Sequence, residues 1–191
     1  MNNRVQPENI VTLHDETSVK ILLSQEQIEE GVARLAGEIR DHYGKDPLTI
    51  IGIMTGSIML LADVIRLLRM PLRVGVIQTS SYRNGTQRGE LTINATLMPD
   101  IRDRDVLLLD DIFDTGHTLM GVTGKISEFG PKSLRSAVLL SKTGRCEVDM
   151  QPDFVTFDIP DEFVIGYGLD YADEYRNLPF IGSIVSLPRP D

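Results

Sequence analysis

Short apolar runs alternate with amphipathic stretches along most of the chain. The first amphipathic stretch begins at Ser24, where Ser-Gln-Glu-Gln has the spacing of a capping box, and its apolar positions recur at helical intervals until Gly44. A second helix is predicted over residues 58–68, and a third begins near Leu119. The pattern therefore predicts three helices, each packed on a core.

The apolar runs between these helices are too short for helices and are typical of strands buried on both faces. Such strands are predicted at residues 19–23, 48–53, 73–79, 106–109 and 134–140. Strands and helices that alternate at this spacing indicate βαβ units, and hence an α/β fold with a parallel sheet. In such sheets, ligands bind at the carboxyl ends of the strands.

Three regions depart from this pattern. Residues 1–18 are polar and unpatterned, which predicts a loose arm. Beyond Pro152 the helical periodicity stops, and short strands are expected at 154–157, 163–165 and 181–185. Residues 80–94 are polar with turn signals and an alternating hairpin arm at 91–93. Two interpretations of this last stretch stay open, a lid over a site and a disordered hairpin tip.

The polar residues after the run 106–109 carry the clearest chemical signal. Asp110 and Asp111 are adjacent carboxylates at a predicted strand end, so they need water, a metal or ligand hydroxyls beside them. The loop 114–118, Asp-Thr-Gly-His-Thr, then precedes a helix whose first amides have no intrahelical partner. Since Gly116 lets the backbone approach a ligand, this loop forms an anion cradle. Together these groups predict a site for a sugar phosphate.

Composition narrows the function classes. The 191 residues are 41% hydrophobic and 25% charged, as expected for one soluble globular domain over residues 1–191. A formal net charge of −9 disfavours nucleic acid as a partner. Cys146 is the single cysteine, so no internal disulfide can form and a cytoplasmic location is expected. No signal peptide or segment of transmembrane length is recognisable, so no membrane contact is expected.

Residues 106–120 resemble the phosphoribosyl-diphosphate (PRPP) motif of the type I phosphoribosyltransferases. Over residues 18–187 the resemblance narrows to the hypoxanthine-guanine phosphoribosyltransferases, because further motifs follow that family's order. These are Met54-Thr-Gly-Ser57, Ser81-Tyr82, Lys142, the segment 152–159, and Phe163-Val-Ile-Gly-Tyr-Gly-Leu-Asp-Tyr171 with Arg176 after it. The resemblance implies a central parallel sheet flanked by helices, with a core at about 45–150. It also implies a small hood from about 18–24 and 151–191, and a mobile hairpin loop.

The resemblance also implies a role for each matching residue. The ribose and 5′-phosphate of PRPP would be bound by Asp110, Asp111, Asp114, Thr115, Gly116, His117 and Thr118. Diphosphate would be bound by Thr55, Gly56, Ser57, Ser81, Tyr82 and Arg176. The purine would be bound by Lys142, Phe163, Val164 and Asp170, and Mg²⁺ by Asp110, Asp111 and Asp170.

The implied activity is purine salvage, in which PRPP and hypoxanthine or guanine give IMP or GMP and diphosphate. Asp114 is the implied catalytic base, which accepts the proton from purine N7 while the base attacks C1′ of the sugar. Lys142 would donate to the exocyclic oxygen at position 6, which rejects the amino group of adenine. Mg²⁺ would neutralise the leaving diphosphate. Family members commonly form homodimers or homotetramers.

Three positions differ from the usual family pattern. Thr55 replaces a lysine of the diphosphate loop and brings no charge. Asp110 replaces a glutamate and is one methylene shorter. His117 stands where lysine, serine or arginine is common, so phosphate binding there would depend on pH.

Other families match single parts of this pattern. Asp110-Asp111 alone also fits a receiver domain, and Asp114-Thr-Gly matches the aspartic-protease tripeptide, but neither explains a phosphate-type loop opening a helix. Two alternatives stay open: a xanthine- or guanine-preferring relative, and a non-catalytic regulatory protein of the same fold that binds nucleotide or RNA. The retained Asp114 and Lys142 favour catalysis, and the acidic surface disfavours RNA.

Overall fold

The computed structural model describes residues 9–81 and 91–187. The helices in this part of the chain are α1 (Gln25–Tyr43), α2 (Ile58–Leu67) and α3 (His117–Ser127). The strands are β1 (Ile10–Thr12), β2 (Ser18–Leu23), β3 (Leu48–Met54), β4 (Leu72–Ser81), β5 (Leu91–Asn94), β6 (Asp105–Phe113), β7 (Ser133–Lys142), β8 (Phe154–Ile159), β9 (Val164–Ile165) and β10 (Ile181–Ser186). None of the helices in the described ranges is long and apolar enough to cross a membrane.

The main sheet has six strands in the order β5-β4-β3-β6-β7-β8. The five strands from β4 to β8 along this order pair in parallel, and β5 pairs antiparallel with β4 at the edge. The predicted α/β fold with a parallel central sheet is therefore confirmed. The expected hairpin arm at 91–93 is β5, while residues 82–90 at the tip of the expected loop lie outside the described residues.

The central strands are buried on both faces, as their continuous apolar runs predicted. In β6, Leu107 and Leu109 join the core under α1 and α2, whereas Val106 and Leu108 join the core under α3. Successive side chains of a strand point to opposite faces, so each residue of the run contributes to one of two layers. The two helical layers thus hold the carboxyl ends of β3 and β6 at a fixed edge.

Helix α1 begins and ends where its local signals predicted. The Ser24 hydroxyl accepts from the Gln27 amide at 3.3 Å, and the Gln27 side chain accepts from the Ser24 amide at 2.9 Å. This reciprocal pair satisfies two amides at the start of the helix. Gly44 ends it with a positive φ of 61°, which glycine adopts readily, and its amide donates to the Arg40 carbonyl.

A second, antiparallel sheet in the order β1-β2-β10-β9 forms a hood beside the main sheet. It shares the larger core, since Val164, Leu169 and Ile181 pack into the cluster that also contains the apolar faces of α1 and α2. A hydrogen bond also connects the hood to α2, because the Tyr167 hydroxyl donates to Asp63 at 2.6 Å. The hood is therefore anchored to the layer that supports the main sheet.

Several boundaries differ from the sequence predictions, and four of these differences affect the sheets or the site. Residues 10–12 of the expected loose arm form β1, which pairs with β2. The strand β8, expected in the hood, belongs to the main sheet through parallel pairing with β7. The strand β6 runs through Phe113, so Asp110 and Asp111 lie within it rather than after it, and α3 begins two residues before Leu119. In the three strand cases, pairing with a distant segment extends or recruits a short element.

Candidate active site

A cleft of about 310 Å³ lies at the carboxyl ends of β3 and β6. The turn after β3, the loop 114–118 and residues of the hood form its walls. Ten of the residues predicted for the site line it: Thr55, Gly56, Asp110, Asp111, Asp114, Thr115, Gly116, Thr118, Asp170 and Arg176. Residues far apart in sequence thus meet at the edge where parallel sheets bind their ligands.

The two adjacent acids are held by the strand that carries them. Asp110 is only 6% exposed, and its Oδ1 accepts from the Asp111 amide at 3.1 Å, while Oδ1 of Asp111 accepts from the Ile112 amide at 2.8 Å. Burial raises the pKa of Asp110 well above its usual range, and the neighbouring Asp111 raises it further. Burial also raises the pKa of Asp111, although Arg176 acts in the opposite direction. The neighbouring groups therefore do not fully stabilise the charged forms of the two carboxyls, and an added cation or hydroxyl donor would do so.

The turn after β3 fits tightly between Asp111 and the hood. A Cβ at Gly56 would lie 1.5 Å from Oδ2 of Asp111, and a Cβ at Gly168 would lie 2.0 Å from the Gly56 carbonyl oxygen. Gly168 also has a φ of +103°, which side-chain-bearing residues rarely adopt. Two glycines therefore allow backbone from the core and the hood to meet beside the acids. Thr55, next to Gly56, is exposed to solvent.

The loop 114–118, here named the phosphate loop, leads directly into α3. Gly116 is the N-cap residue with a φ of 86°, and its carbonyl accepts the first helical bond from Met120. The first amides of α3 are thus at the edge of the cleft, with the positive end of the helix dipole. His117 does not line the cleft, and its Nε2 lies 3.1 Å from Oε2 of Glu147.

A cluster of four charged groups, named the charge cluster, joins the phosphate loop to the end of β7. Nζ of Lys142 lies 3.5 Å from Oδ2 of Asp114 and 3.4 Å from Oδ1 of Asp161. Nε of Arg145 lies 2.9 Å from Oδ1 of Asp114, and its Nη1 lies 3.6 Å from Oδ2 of Asp161. Each acid thus contacts both cations, and Lys142 is the most buried member.

The hood supplies an aromatic pair and an arginine. Phe163 is 59% exposed, and its ring meets Tyr171 edge to face at a centroid distance of 5.9 Å. Nη2 of Arg176 lies 2.8 Å from Oδ1 of Asp170, and its Nη1 donates to the Gly168 carbonyl at 2.8 Å. Phe163 therefore presents ring surface to solvent, and Arg176 is held beside the two acids of β6.

Two of the predicted residues are engaged in the fold through their side chains. The Ser57 hydroxyl is fully buried and donates to the Ile53 carbonyl at 2.7 Å, so it stabilises the turn after β3. The Val164 side chain is buried in the core while its backbone pairs with Ser183 of β10. The Ser81 side chain and Tyr82 lie outside the described part of the chain.

Sequence reasoning missed several charged residues that contact the predicted site. Among them are Arg145 and Asp161 of the charge cluster and Glu147 beside His117. The local signal was weak: Gly144, with a φ of 75°, marks a turn after Lys142, and charged residues follow it as in many surface loops. Their contacts depend on a fold that brings residues 114 and 145 together.

Comparison with known proteins gives the family. The model of the phosphoribosyl transferase domain matches residues 18–172. This chain belongs to the phosphoribosyl transferase family. It is 39% identical over 171 residues to the hypoxanthine phosphoribosyltransferase of Haemophilus influenzae, which covers 87% of this chain and 96% of that protein. It is 40% identical over 165 residues to the hypoxanthine-guanine phosphoribosyltransferase of Staphylococcus epidermidis, with 86% of this chain and 92% of that protein covered.

Solved structures of the phosphoribosyl transferase family agree with this fold. A hypoxanthine-guanine phosphoribosyltransferase from Bacillus anthracis matches with a TM-score of 0.83 at 36% identity, over 87% of this chain and 98% of that one. A hypoxanthine phosphoribosyltransferase from Staphylococcus aureus matches with a TM-score of 0.82 at 38% identity, over 86% and 90% of the two chains. The resemblance to hypoxanthine-guanine phosphoribosyltransferases is therefore confirmed over most of the chain.

Proposed function

We propose that this protein transfers the phosphoribosyl group of PRPP to hypoxanthine and guanine, giving IMP or GMP and diphosphate in purine salvage. The observation that carries the proposal is the joint arrangement around the cleft. Two carboxylates short of positive charge lie beside the start of α3, and Asp114 links this region to Lys142. The relatives named as hypoxanthine or hypoxanthine-guanine phosphoribosyltransferases agree with it.

The phosphoribosyl part of PRPP would be bound by the acids of β6 and the phosphate loop. Asp110 and Asp111 accept from the ribose 2′ and 3′ hydroxyls, and the amides of the phosphate loop bind the 5′-phosphate. The positive end of α3 favours the phosphate charge. Diphosphate would lie at the turn of Thr55 and Gly56, with Arg176 as the adjacent cation.

The purine would bind between Lys142 and the exposed ring of Phe163. Lys142 turns from its acidic partners to the exocyclic oxygen at position 6, and the ring stacks on the purine. Asp114 accepts the proton from N7 while the base attacks C1′ and diphosphate departs. Support for this route comes from the 3.5 Å distance between Lys142 and Asp114, which brings the group for base selection and the group for proton transfer together.

The donor set fits a magnesium ion that arrives with the substrate. Among the described residues, no group of three or more His, Cys, Asp or Glu side chains is arranged to hold a metal ion. Mg²⁺ commonly takes one or two protein carboxylates together with substrate phosphates and water, so one or two of Asp110, Asp111 and Asp170 would suffice. When bound, the ion would neutralise charge on the departing diphosphate.

An ultraviolet assay with PRPP, Mg²⁺ and one base at a time tests the function. We expect nucleotide to form with hypoxanthine and guanine and not with adenine, because an amine donor at position 6 pairs with an oxygen. Faster turnover of xanthine than of hypoxanthine would favour the xanthine-preferring alternative. A folded protein that binds PRPP but forms no nucleotide would contradict the enzymatic proposal and favour a regulatory protein of this fold.

We further propose that the protein acts in the cytoplasm as a homodimer or homotetramer, with PRPP and purine as its ligands and without nucleic acid or membrane partners. Exposed apolar side chains on α2 and β4, including Ile58, Leu67 and Val74, support association. Light scattering coupled to size-exclusion chromatography tests this. A monomer at micromolar concentration would contradict it.

A further inference from the structure

The segment 145–148, which follows β7, is fixed against the phosphate loop. The Glu147 amide donates to the Thr115 carbonyl at 3.0 Å. A Cβ at Gly116 would lie 2.5 Å from Cγ2 of Val148, so the two segments pack without space for a side chain between them. These backbone and apolar contacts hold the segment in place independently of the Arg145 side chain.

Arg145 binds one oxygen of the Asp114 carboxylate. Its Nε lies 2.9 Å from Oδ1, whereas Oδ2 of the same carboxylate lies 3.5 Å from Nζ of Lys142. The torsion that turns an aspartate carboxylate has broad minima, so rotamer preference alone leaves its orientation loose. A guanidinium that stays charged and binds one oxygen restricts this rotation.

The contact is better suited to orienting a group than to stabilising the fold. The Arg145 side chain is 42% exposed, and ion pairs between exposed groups contribute little to stability. Asp161 holds the guanidinium from the other side, with its Oδ2 3.6 Å from Nη1. Arg145 is thus placed between two acids, one of which faces the cleft.

We propose that Arg145 is a positioning residue for the transfer step and acts through Asp114. The proposal rests on the proposed function, in which Asp114 accepts the N7 proton. When a purine takes the Lys142 amine, Asp114 loses that contact. Arg145 then keeps Oδ1 engaged and Oδ2 directed toward the base.

The test compares steady-state kinetics of the full chain with those of Arg145→Gln, Arg145→Lys and a control, Arg135→Gln. Arg135 lies at the other end of β7, is 41% exposed, and pairs with Asp153 at 2.5 Å. The control thus removes a similar exposed arginine–aspartate pair near the opposite end of β7. Thermal unfolding of each variant shows whether it folds like the unaltered protein.

For Arg145→Gln, we expect kcat to fall about 10- to 100-fold, since small misplacement of a catalytic group costs up to about 10²-fold in rate. The KM values for PRPP and purine should change by less than about threefold, because the interaction matters mainly in the transition state. Arg145→Lys should recover part of kcat through its retained charge. Arg135→Gln should leave both parameters unchanged.

Three results would overturn the proposal: a kcat of Arg145→Gln within about twofold of the unaltered protein, an equal fall in Arg135→Gln, or a rise in KM at constant kcat. The activity of the unaltered protein distinguishes a failure of the positioning role from a failure of the proposed function. If this protein forms no nucleotide, both are refuted. If it is active and Arg145→Gln is equally active, only the positioning role is refuted.

Discussion

At the scale of single residues, Asp114 connects the two halves of the proposed reaction. It belongs to the phosphate loop, yet its carboxylate contacts Lys142 and Arg145, which follow one another closely at and after the end of β7. A carboxylate in this position can contact both a bound sugar phosphate and a bound purine. Substitutions of Asp114 and of Lys142 should therefore have different effects on catalysis.

Asp114→Asn should fold normally and lose most of its turnover. The amide keeps the shape of the carboxylate and can still accept from Arg145, but it cannot take a proton from N7. General-base assistance typically contributes about 10²- to 10⁴-fold, so kcat should fall within that range. Steady-state rates with saturating PRPP and hypoxanthine, beside thermal unfolding curves, provide the measurement. Near-normal turnover would rule out the assigned base role.

Lys142→Ala should weaken purine binding more than PRPP binding. A hydrogen bond from a charged donor is worth about 1.5–3 kcal/mol, so the KM for hypoxanthine and guanine should rise about 10- to 100-fold. Lys132→Ala is a suitable control, because Lys132 pairs with Asp105 at 2.8 Å at the start of β6, whereas Asp110 and Asp111 lie near its carboxyl end. Equal losses for purine and PRPP would count against a lysine that selects the base.

At the scale of elements, the site depends on the close approach of the turn after β3 to the hood. The Gly168 amide donates a hydrogen bond to the Arg176 carbonyl at 2.9 Å. The Gly168 carbonyl in turn accepts one from the Arg176 side chain. Gly168 also lies against the Gly56 carbonyl. The hood thus positions an arginine and the turn after β3 through one glycine.

Gly168→Ala should destabilise the protein and weaken PRPP binding. The added Cβ would lie 2.0 Å from backbone, at a φ of +103°, and residues held in such conformations cost about 1–3 kcal/mol. Gly124→Ala is the matched control, since no atom lies within 4 Å of a Cβ there and a helical alanine should add about 0.5–1 kcal/mol of stability. Denaturant unfolding and PRPP titration of both variants are the measurements. Unchanged stability and PRPP affinity in Gly168→Ala would contradict the argument.

At the scale of the whole molecule, the unpaired charge of the cleft affects the pH dependence of stability. The pKa of Asp110 is raised in the folded protein, from an ordinary value of 3.8, chiefly by burial and then by Asp111. A carboxyl with a raised folded pKa contributes stability that is fully present below the ordinary pKa. This contribution is lost as pH rises through the folded pKa. At neutral pH the buried Asp110 carboxyl therefore lowers the free energy of unfolding of the ligand-free protein.

Asp110→Asn should raise the free energy of unfolding of the ligand-free protein at neutral pH by about 0.5–2 kcal/mol, the usual range for relieving such a local cost. The gain should shrink as pH falls toward 4, and PRPP affinity should fall. Asp41→Asn, which removes an 81% exposed carboxylate, should give no comparable gain. Denaturant unfolding at pH 4 to 8 is the measurement. A gain that is independent of pH, or equal in both variants, would contradict the explanation.

The opposite sign holds for carboxylates with ion-pair or hydrogen-bond donors. The Lys132 side chain, followed by Ser133, lowers the pKa of Asp105, and the Tyr175 hydroxyl lowers the pKa of Asp15. Such groups contribute stability above the ordinary pKa that is lost as pH falls through the lower, folded value. Their effect lies below about pH 4. The pH dependence caused by Asp105 and Asp15 therefore does not overlap with the higher pH range in which Asp110 changes the stability.

The sequence by itself determined the features that depend on neighbours along the chain. The capping box at Ser24, the glycine stop at Gly44 and the two-faced apolar run of β6 act within a few residues. The phosphate loop was recognisable for the same reason, since its acid, glycine and hydroxyls lie in one stretch before α3. Parallel pairing then brings several strand ends to one edge, so most predicted cleft residues could be named before the fold was known.

Tertiary structure alone decided the partners of short or ambiguous segments. Residues 10–12 and 154–159 became strands of particular sheets because they pair with β2 and β7, and such pairing carries no local signature. Arg145 contacts Asp114 across 31 residues, and the Ser57 hydroxyl donates to the Ile53 carbonyl inside a buried turn. Local signals specify which residue types are available, whereas non-local packing specifies which of them contact each other.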